Sequence, residues 1–411
     1  MANPVSTIAA PKTNGSTTLA PAATDGEMQN VHSETTKSGI KLDLFNMVAE
    51  RDHEQVVVCS DTASGLKALI GIHNTTLGPA LGGARMWTYS SDAEALSDVL
   101  RLSRGMTYKA AVAGLNLGGG KAVIIGDPHT QKTEQLFRAF GRFVEGLGGR
   151  YITAEDVGTS MQEMVWVRSE TKYVTGIPVE LGGSGDPSPV TAYGTYVGIK
   201  ACAAVKYGSD SLKGKRIAIQ GAGHVASTLA KHLSEEGALV TITDIYLDKA
   251  RDVAKEANAT VVKPEEIYEV DCDIFSPAAL GGVINDRTIP ILKCSIIAGP
   301  ANNQLAEEEK HAKALRDKGI LFAPDYVINA GGLINVANEL EGYSRTRAMA
   351  QAQNIYDVLK RILIHANEHN LTTIEAANHI AEERIYAVGR TKRIYASTSN
   401  FSGRFGEYFT R

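Results

Sequence analysis

Arg216-Ile-Ala-Ile-Gln220-Gly221-Ala-Gly223-His-Val-Ala226 is the stretch on which the fold turns. Its first five residues are short, apolar-rich and bounded by turn residues, which predicts a buried strand. The next residues read G-x-G-x-x-A, and helical spacing follows over Val225–Glu235. In such a strand–turn–helix, Gly221 permits the tight turn and Gly223 lets a pyrophosphate approach the backbone. Ala226 is small enough for helix and strand to pack, and the helix N-terminus faces the anion. A second strand is expected at Leu239–Thr243, and Asp244 ends it, 23 residues after Gly221. An acid there accepts hydrogen bonds from the adenosine ribose hydroxyls and repels the extra phosphate of NADP, so the expected cofactor is NAD. The bland alternative is a glycine-rich turn with a solvated Asp. The strand–helix alternation on both sides weighs against it.

Downstream, a helix is expected at Lys249–Ala257, with strands near Ile274 and Ile296 and at Ile320–Ala323. Such alternation predicts βαβ units and a parallel sheet covered on both faces. Upstream lies Gly182-Gly-Ser-Gly-Asp-Pro-Ser-Pro189, a loop and candidate hinge. Ser188 reads as an N-cap and Pro189 as the first helical residue, of a helix reaching about Lys206. Further upstream, strands are expected at Gln55–Cys59, Leu66–His73, Ala122–Ile125 and Tyr151–Ala154, with helices at Asp92–Arg104 and Glu134–Leu147. After Asn335 the pattern is helical, through Met349–His369 and Thr373–Val388.

Composition narrows the function. The 411 residues hold 42 Lys+Arg against 46 Asp+Glu, a net charge of −4, which argues against a polyanion partner such as nucleic acid. No apolar run has the length to span a bilayer. Cys59, Cys202, Cys272 and Cys294 form no CxxC pair and read as reduced core thiols in a cytoplasmic setting. Residues 1–43 are rich in Ala, Thr, Ser, Pro and Asn and read as a disordered tail.

The densest chemistry lies in Gly105-Met-Thr-Tyr-Lys109 and, twelve residues on, Gly118-Gly-Gly120-Lys121. Two lysines in nearly charge-free surroundings are unusual, because lysine is rarely buried without a task. Desolvation and a neighbouring cation lower a lysine pKa, which is how an enzyme obtains an amine base. A P-loop fails here: Leu115 stands where Gly is needed and Ala122 where Ser or Thr is needed. Two lysines snorkelling to the surface are the plain alternative. Glu155 and Asp156 close the strand near Tyr151, where α/β ligand sites gather. The absence of G-x-S-x-G disfavours a Ser/His/Asp hydrolase, and with no H-E-x-x-H among the ten histidines no metal role is expected.

Together these residues resemble the glutamate/leucine/phenylalanine/valine amino-acid dehydrogenase family over about Leu44 to Arg393. The resemblance rests on Thr76-Leu-Gly-Pro-Ala-Leu-Gly-Gly-Ala-Arg-Met-Trp87, Gly105–Lys109, Leu117–Lys121 and Thr153-Ala-Glu-Asp156-Val-Gly158. Pro187-Ser-Pro-Val-Thr191, Ala301-Asn-Asn-Gln-Leu305 and Pro324-Asp-Tyr-Val-Ile-Asn-Ala-Gly-Gly332 follow in the same order. The resemblance implies that Lys109 binds the substrate α-carboxylate, Lys121 is the catalytic base and Asp156 exchanges protons near the substrate nitrogen. It implies that Thr191 holds the nicotinamide carboxamide and that Asn302 lies near the nicotinamide ribose and the substrate. Leu81, with Gly82 beside it, and Met106, Ala154, Leu333 and Val336 would line the side-chain pocket. The end after Arg393 does not match the family's basic C-terminus, which leaves oligomeric state open.

The expectation is therefore a two-domain α/β enzyme. A substrate and dimerisation domain spans 44–186, a Rossmann-type, doubly wound NAD-binding domain spans 187–335, and C-terminal helices in 336–411 return to the first. The implied reaction is reversible oxidative deamination of an L-amino acid to a 2-oxo acid and ammonium, on branched aliphatic chains. An aromatic substrate, phenylalanine or tryptophan, is the nearer alternative, and a non-catalytic NAD-binding regulator the more distant one. The family also implies a homo-oligomer, with an octamer as one form.

Overall fold

The computed structural model describes residues 43–391. The expected tail, apart from Asp43, and the end after Arg393 lie outside the described residues.

A short helix, α1 (Leu44–Ala49), leads into the antiparallel pair β1 (Gln55–Asp61) and β2 (Leu66–Asn74). Then come β3 (Ala80–Leu81), β4 (Ala84–Trp87), α2 (Asp92–Val112), β5 (Gly118–Ile125), α3 (Glu134–Glu145), β6 (Tyr151–Ile152) and α4 (Met161–Arg168). The strands form a mixed sheet ordered β1-β2-β5-β3-β6, with β4 also paired to β5. Ser91 caps α2 by accepting the Glu94 N–H, and Asp92 and Glu94 sit favourably in its first turn. Two differences from the sequence reading matter for function. The helix runs on past Arg104 to Val112, and β5 begins at Gly118 rather than Ala122. Both have one cause. A Cβ on Gly119 would stand 2.1 Å from the Thr107 backbone nitrogen, so only glycine lets α2 lie directly on β5. That contact carries Lys109 towards Lys121.

The second sheet follows α5 (Ser188–Tyr207). It contains β7 (Arg216–Gln220), β8 (Leu239–Thr243), β9 (Thr260–Val261), β10 (Ile274–Pro277), β11 (Ile296–Ile297) and β12 (Leu321–Phe322). Between them run α6 (His224–Glu235), α7 (Leu247–Ala257) and α8 (Glu308–Asp317). All six strands are parallel, in the order β12-β11-β10-β7-β8-β9. This is the doubly wound order, and its topological switch point lies between β7 and β10, where such sheets bind ligands. Ile217, Ala218, Ile219, Ile242, Ile274 and Phe275 are buried, as a sheet covered on both faces requires. One capping expectation is corrected: Pro187 holds the N-cap position of α5, Ser188 is already helical, and Asp186 Oδ1 accepts the Ser188 N–H at 2.9 Å.

The chain closes with α9 (Asp325–Ile328), α10 (Gly331–Ala337), α11 (Arg345–Gln353), α12 (Ile355–His369) and α13 (Thr373–Thr391). The single helix expected over Met349–His369 is two, meeting at Asn354. α11 and α12 pack against α5, whereas α13 reaches α2. Arg384 fastens that return by donating to the carbonyls of Ala111, Gly114 and Leu115, just beyond Lys109.

Candidate active site

Lys121 lies in the middle of β5, opposite Gly71 of β2. Beside β5, the chain turns through Gly82 and Gly83 between β3 and β4. A Cβ on Gly82 would fall 1.8 Å from the Gly120 carbonyl oxygen, so no other residue fits there. The Lys121 ammonium meets Asp156 Oδ2 at 2.9 Å, with the two side chains 7% and 21% exposed. Screening is weak at that depth, so the pair is an effective electrostatic unit. Arg85 of β4 reaches the same Oδ2 through Nε at 3.0 Å. Burial disfavours the ionised Asp156, yet Lys121 and Arg85 outweigh it and hold the carboxyl below its usual range.

Lys109 occupies the last turn of α2. Its ammonium donates to Asn329 Oδ1 at 2.6 Å, across to the second half of the molecule. Asn329 passes the contact on, donating from Nδ2 to Asn302 Oδ1 at 2.6 Å and to the Pro300 carbonyl at 3.1 Å. Burial, helped by nearby Lys121, pushes the Lys109 ammonium down to about 8 against the pull of Asp325. Arg85 and Asn329 had no role in the sequence reading. Both fall inside stretches that carried the family resemblance, and only their side-chain contacts reveal them.

Leu81 and Leu333 belong to one buried apolar cluster with Ala110, Leu117, Ile152 and Leu340, and Met106 and Val336 pack against it. Four of the five expected pocket side chains thus come together. Ala154 is buried beyond Ile152, outside that cluster, and its carbonyl accepts the Ala84 N–H at 2.8 Å.

At the switch point, Gly221 has φ +116°, and a Cβ there would come within 3.0 Å of Ala278 and Ala279 beyond β10. Gly223 precedes α6, and a Cβ on it would meet nothing within 4 Å, so the backbone is open to a ligand. Ala226 is fully buried. Asp244 accepts the Ala222 N–H through Oδ2 and the Tyr246 N–H through Oδ1, both at 2.8 Å. A carboxylate has about four acceptor positions, so it keeps lone pairs for two hydroxyls. Thr191 lies in the first turns of α5, and its hydroxyl donates to the Pro187 carbonyl at 3.0 Å. Its Oγ1 would be 3.1 Å from a Cβ on Gly332. These residues suit a dinucleotide: an open glycine backbone, a helix N-terminus and a carboxylate with lone pairs to spare lie together at the carboxyl ends of β7 and β8.

A family profile described as Glu/Leu/Phe/Val dehydrogenase, dimerisation domain, matches residues 53–173. A second, described as Glutamate/Leucine/Phenylalanine/Valine dehydrogenase, matches residues 182–246 and 246–397. The chain is 56% identical over 352 residues to a leucine dehydrogenase of Thermoactinomyces intermedius, covering 86% of this chain and 96% of that one. It is 48% identical over 369 residues to a phenylalanine dehydrogenase of Bacillus thermotolerans, covering 89% and 96%. Among solved structures it is similar to the crystal structure of L-tryptophan dehydrogenase from Nostoc punctiforme, with a TM-score of 0.77 and 48% identity over 84% of this chain and 100% of that chain.

Proposed function

This chain belongs to the glutamate/leucine/phenylalanine/valine dehydrogenase family, and we propose that it deaminates branched-chain L-amino acids, leucine foremost, reversibly and with NAD. The observation that carries the reading is the buried Lys121–Asp156 pair with Lys109 near it and the Leu81–Leu333 apolar cluster alongside. A non-catalytic NAD-binding regulator has no use for a second buried lysine and a paired carboxylate in that place.

Lys109 receives the α-carboxylate, exchanging its bond to Asn329 for a charged one. The bound dinucleotide supplies the acceptor for the hydride that leaves Cα. Asp156 takes a proton from the substrate ammonium and later returns one to the departing amine. Lys121, uncharged, accepts a proton from the water that attacks the substrate iminium carbon. Gly221, Gly223 and Asp244 would hold the adenosine and pyrophosphate half of the cofactor, with buried Ala226 letting helix and strand pack behind the turn, and Thr191 and Asn302 would hold the nicotinamide half. Closure of the two domains keeps bulk water from the hydride-transfer step. The decisive assay is NADH formation on mixing the protein with NAD and L-leucine; absence of NADH with every L-amino acid tested would overturn the reading.

Two further outcomes are expected. First, kcat/KM reports ionisations of the free enzyme. It falls for L-leucine as pH rises through about 8, because neutral Lys109 no longer pairs with the carboxylate. Lys109→Ala raises KM far more than it lowers kcat, and it erases this alkaline limb. An unchanged limb in the variant would remove Lys109 from carboxylate binding. Second, NAD is preferred over NADP by about 100-fold or more in kcat/KM, since Asp244 would face the added phosphate across a short distance. Asp244→Ser narrows the ratio by weakening NAD and relieving the repulsion. Equal use of both cofactors by the unaltered enzyme would overturn the role of Asp244.

A homo-oligomer also belongs to this proposal, since the profile matched by residues 53–173 is described as a dimerisation domain. Among the described residues, no helix is long and apolar enough to cross a membrane. Four buried free thiols fit a reducing, cytoplasmic setting.

A further inference from the structure

Asp156 carries both of its cations on one oxygen. Lys121 Nζ and Arg85 Nε meet Oδ2 at 2.9 and 3.0 Å, and among the described residues no hydrogen bond or ion pair falls on Oδ1. Arg85 is held at its other end as well. Its Nη1 meets Asp98 Oδ2 on α2 at 3.1 Å, and the Tyr89 hydroxyl donates to that same oxygen at 2.7 Å. Arg101 takes Asp98 Oδ1 at 2.8 Å. The guanidinium, only 19% exposed, is therefore a planar bar fixed between two carboxylates that come from different elements. Nothing in the reaction described above uses it.

The two cations on Asp156 differ in one property. A lysine base must give up its charge to work, whereas a guanidinium keeps its charge at every working pH. When Lys121 is neutral, Asp156 has lost one counter-ion and, without Arg85, would stand in a half-buried site as an unpaired carboxylate. Such a carboxylate takes up a proton readily. It would then be unable to accept one from the substrate ammonium.

We propose that Arg85, braced by Asp98, is a positioning residue: it pins Asp156 by Oδ2, leaves Oδ1 for the substrate nitrogen, and keeps the carboxylate ionised while Lys121 is neutral. This rests on the reading that Asp156 exchanges protons with the substrate. In the step concerned, one N–H bond of the ammonium breaks and one O–H bond forms at Oδ1; the nitrogen keeps the electron pair. Other charged or titratable groups act on Asp156 from around it: Lys109 on α2, Tyr89 beyond β4 and Tyr151 on β6. None of these is bonded to the carboxylate, so Arg85 and Lys121 set its ionisation between them.

The test compares Arg85→Ala, Arg85→Lys and Asp98→Asn with the unaltered enzyme in L-leucine oxidation across pH. For Arg85→Ala, kcat falls about 100-fold or more while KM for L-leucine changes little. The acid limb of its kcat profile moves up by about one pH unit or more, because the carboxylate now protonates more easily. Asp98→Asn gives a smaller shift in the same direction. Millimolar guanidinium ion restores part of the lost turnover in Arg85→Ala but none in a Lys121→Ala control. If Arg85→Ala does not fold, Arg85→Lys carries the same readout, since a single ammonium cannot bridge Asp98 and Asp156. An acid limb left in place in the folded variants, or no recovery with guanidinium, overturns the role of Arg85 even if activity has dropped. Failure of the unaltered enzyme to oxidise any L-amino acid would instead overturn the function itself.

Discussion

Lys121→Ala lowers L-leucine oxidation by about 1,000-fold or more and leaves NAD binding near its original affinity. The size follows from the proposed role, since a positioned general base contributes about 10²–10⁴-fold. Lys121 also neutralises Asp156, so its loss disturbs proton exchange at the nitrogen too. Cofactor binding survives because the glycine turn and Asp244 belong to the other sheet. The fold is expected to survive as well. Removing one partner of a buried ion pair ordinarily costs about 3–5 kcal/mol, because the other charge is stranded. Here Asp156 keeps Arg85 at 3.0 Å, so the melting temperature drops only modestly. Three measurements separate the possibilities: steady-state rates, NADH titration by fluorescence quenching, and thermal melting. Turnover close to that of the parent would remove Lys121 from the chemistry.

The parts of the molecule legible in the sequence are those governed by local rules. β7 and β8 occupy the predicted residues because short apolar runs between turn residues leave little freedom for a buried parallel strand. The glycine turn and Asp244 were legible for the same reason: the chain around them is contiguous. β5 was cut short because Gly118, Gly119 and Gly120 have no intrinsic preference for a strand. They take part in the strand where the Asn74 backbone, α2 and Tyr151 lie so close to Gly118, Gly119 and Gly120 in turn that no side chain fits. That information belongs to packing between segments far apart in the chain. The same holds for Arg85 and Asn329. Arg85 joins residues 71 positions apart, and Asn329 answers a lysine 220 positions earlier. Periodicity cannot register such pairings. The break at Asn354 leaves no local signal, because Asn354 keeps helical backbone angles and both flanking segments are helical and pack on α5. Composition and motif thus single out the glycine turn and the two lysines, whereas the wiring between the lysines and their partners is visible only in three dimensions.

L-Leucine is oxidised with a kcat/KM about 100-fold or more above that of L-glutamate. The pocket side chains Leu81, Met106, Leu333 and Val336 share one apolar cluster with Leu117, Ile152 and Leu340. A glutamate side chain there would bury a carboxylate among groups that offer it no cation. An uncompensated buried charge costs about 3–5 kcal/mol, which is a factor of roughly 10²–10⁴ in transition-state binding. Lys109 cannot rescue it, because the α-carboxylate already takes that ammonium. Among aliphatic substrates the gaps are narrower: one methylene in an apolar pocket is worth about 1–3 kcal/mol, so valine and isoleucine also react, behind leucine. Phenylalanine and tryptophan are limited by volume and not by charge, and relatives that act on them share nearly half of this sequence. The comparison to make is kcat/KM for leucine, valine, phenylalanine, tryptophan and glutamate in one buffer. Glutamate rivalling leucine would sink the pocket assignment, whereas an aromatic substrate in the lead would keep the mechanism and replace the substrate. Leu81→Lys supplies the converse. An ammonium set into the cluster damages leucine turnover severely, yet NADH titrates as before, because Leu81 lies on β3 of the first sheet, away from the glycine turn. If the variant folds and still oxidises leucine at the parental rate, the substrate side chain does not enter between Leu81 and Leu333.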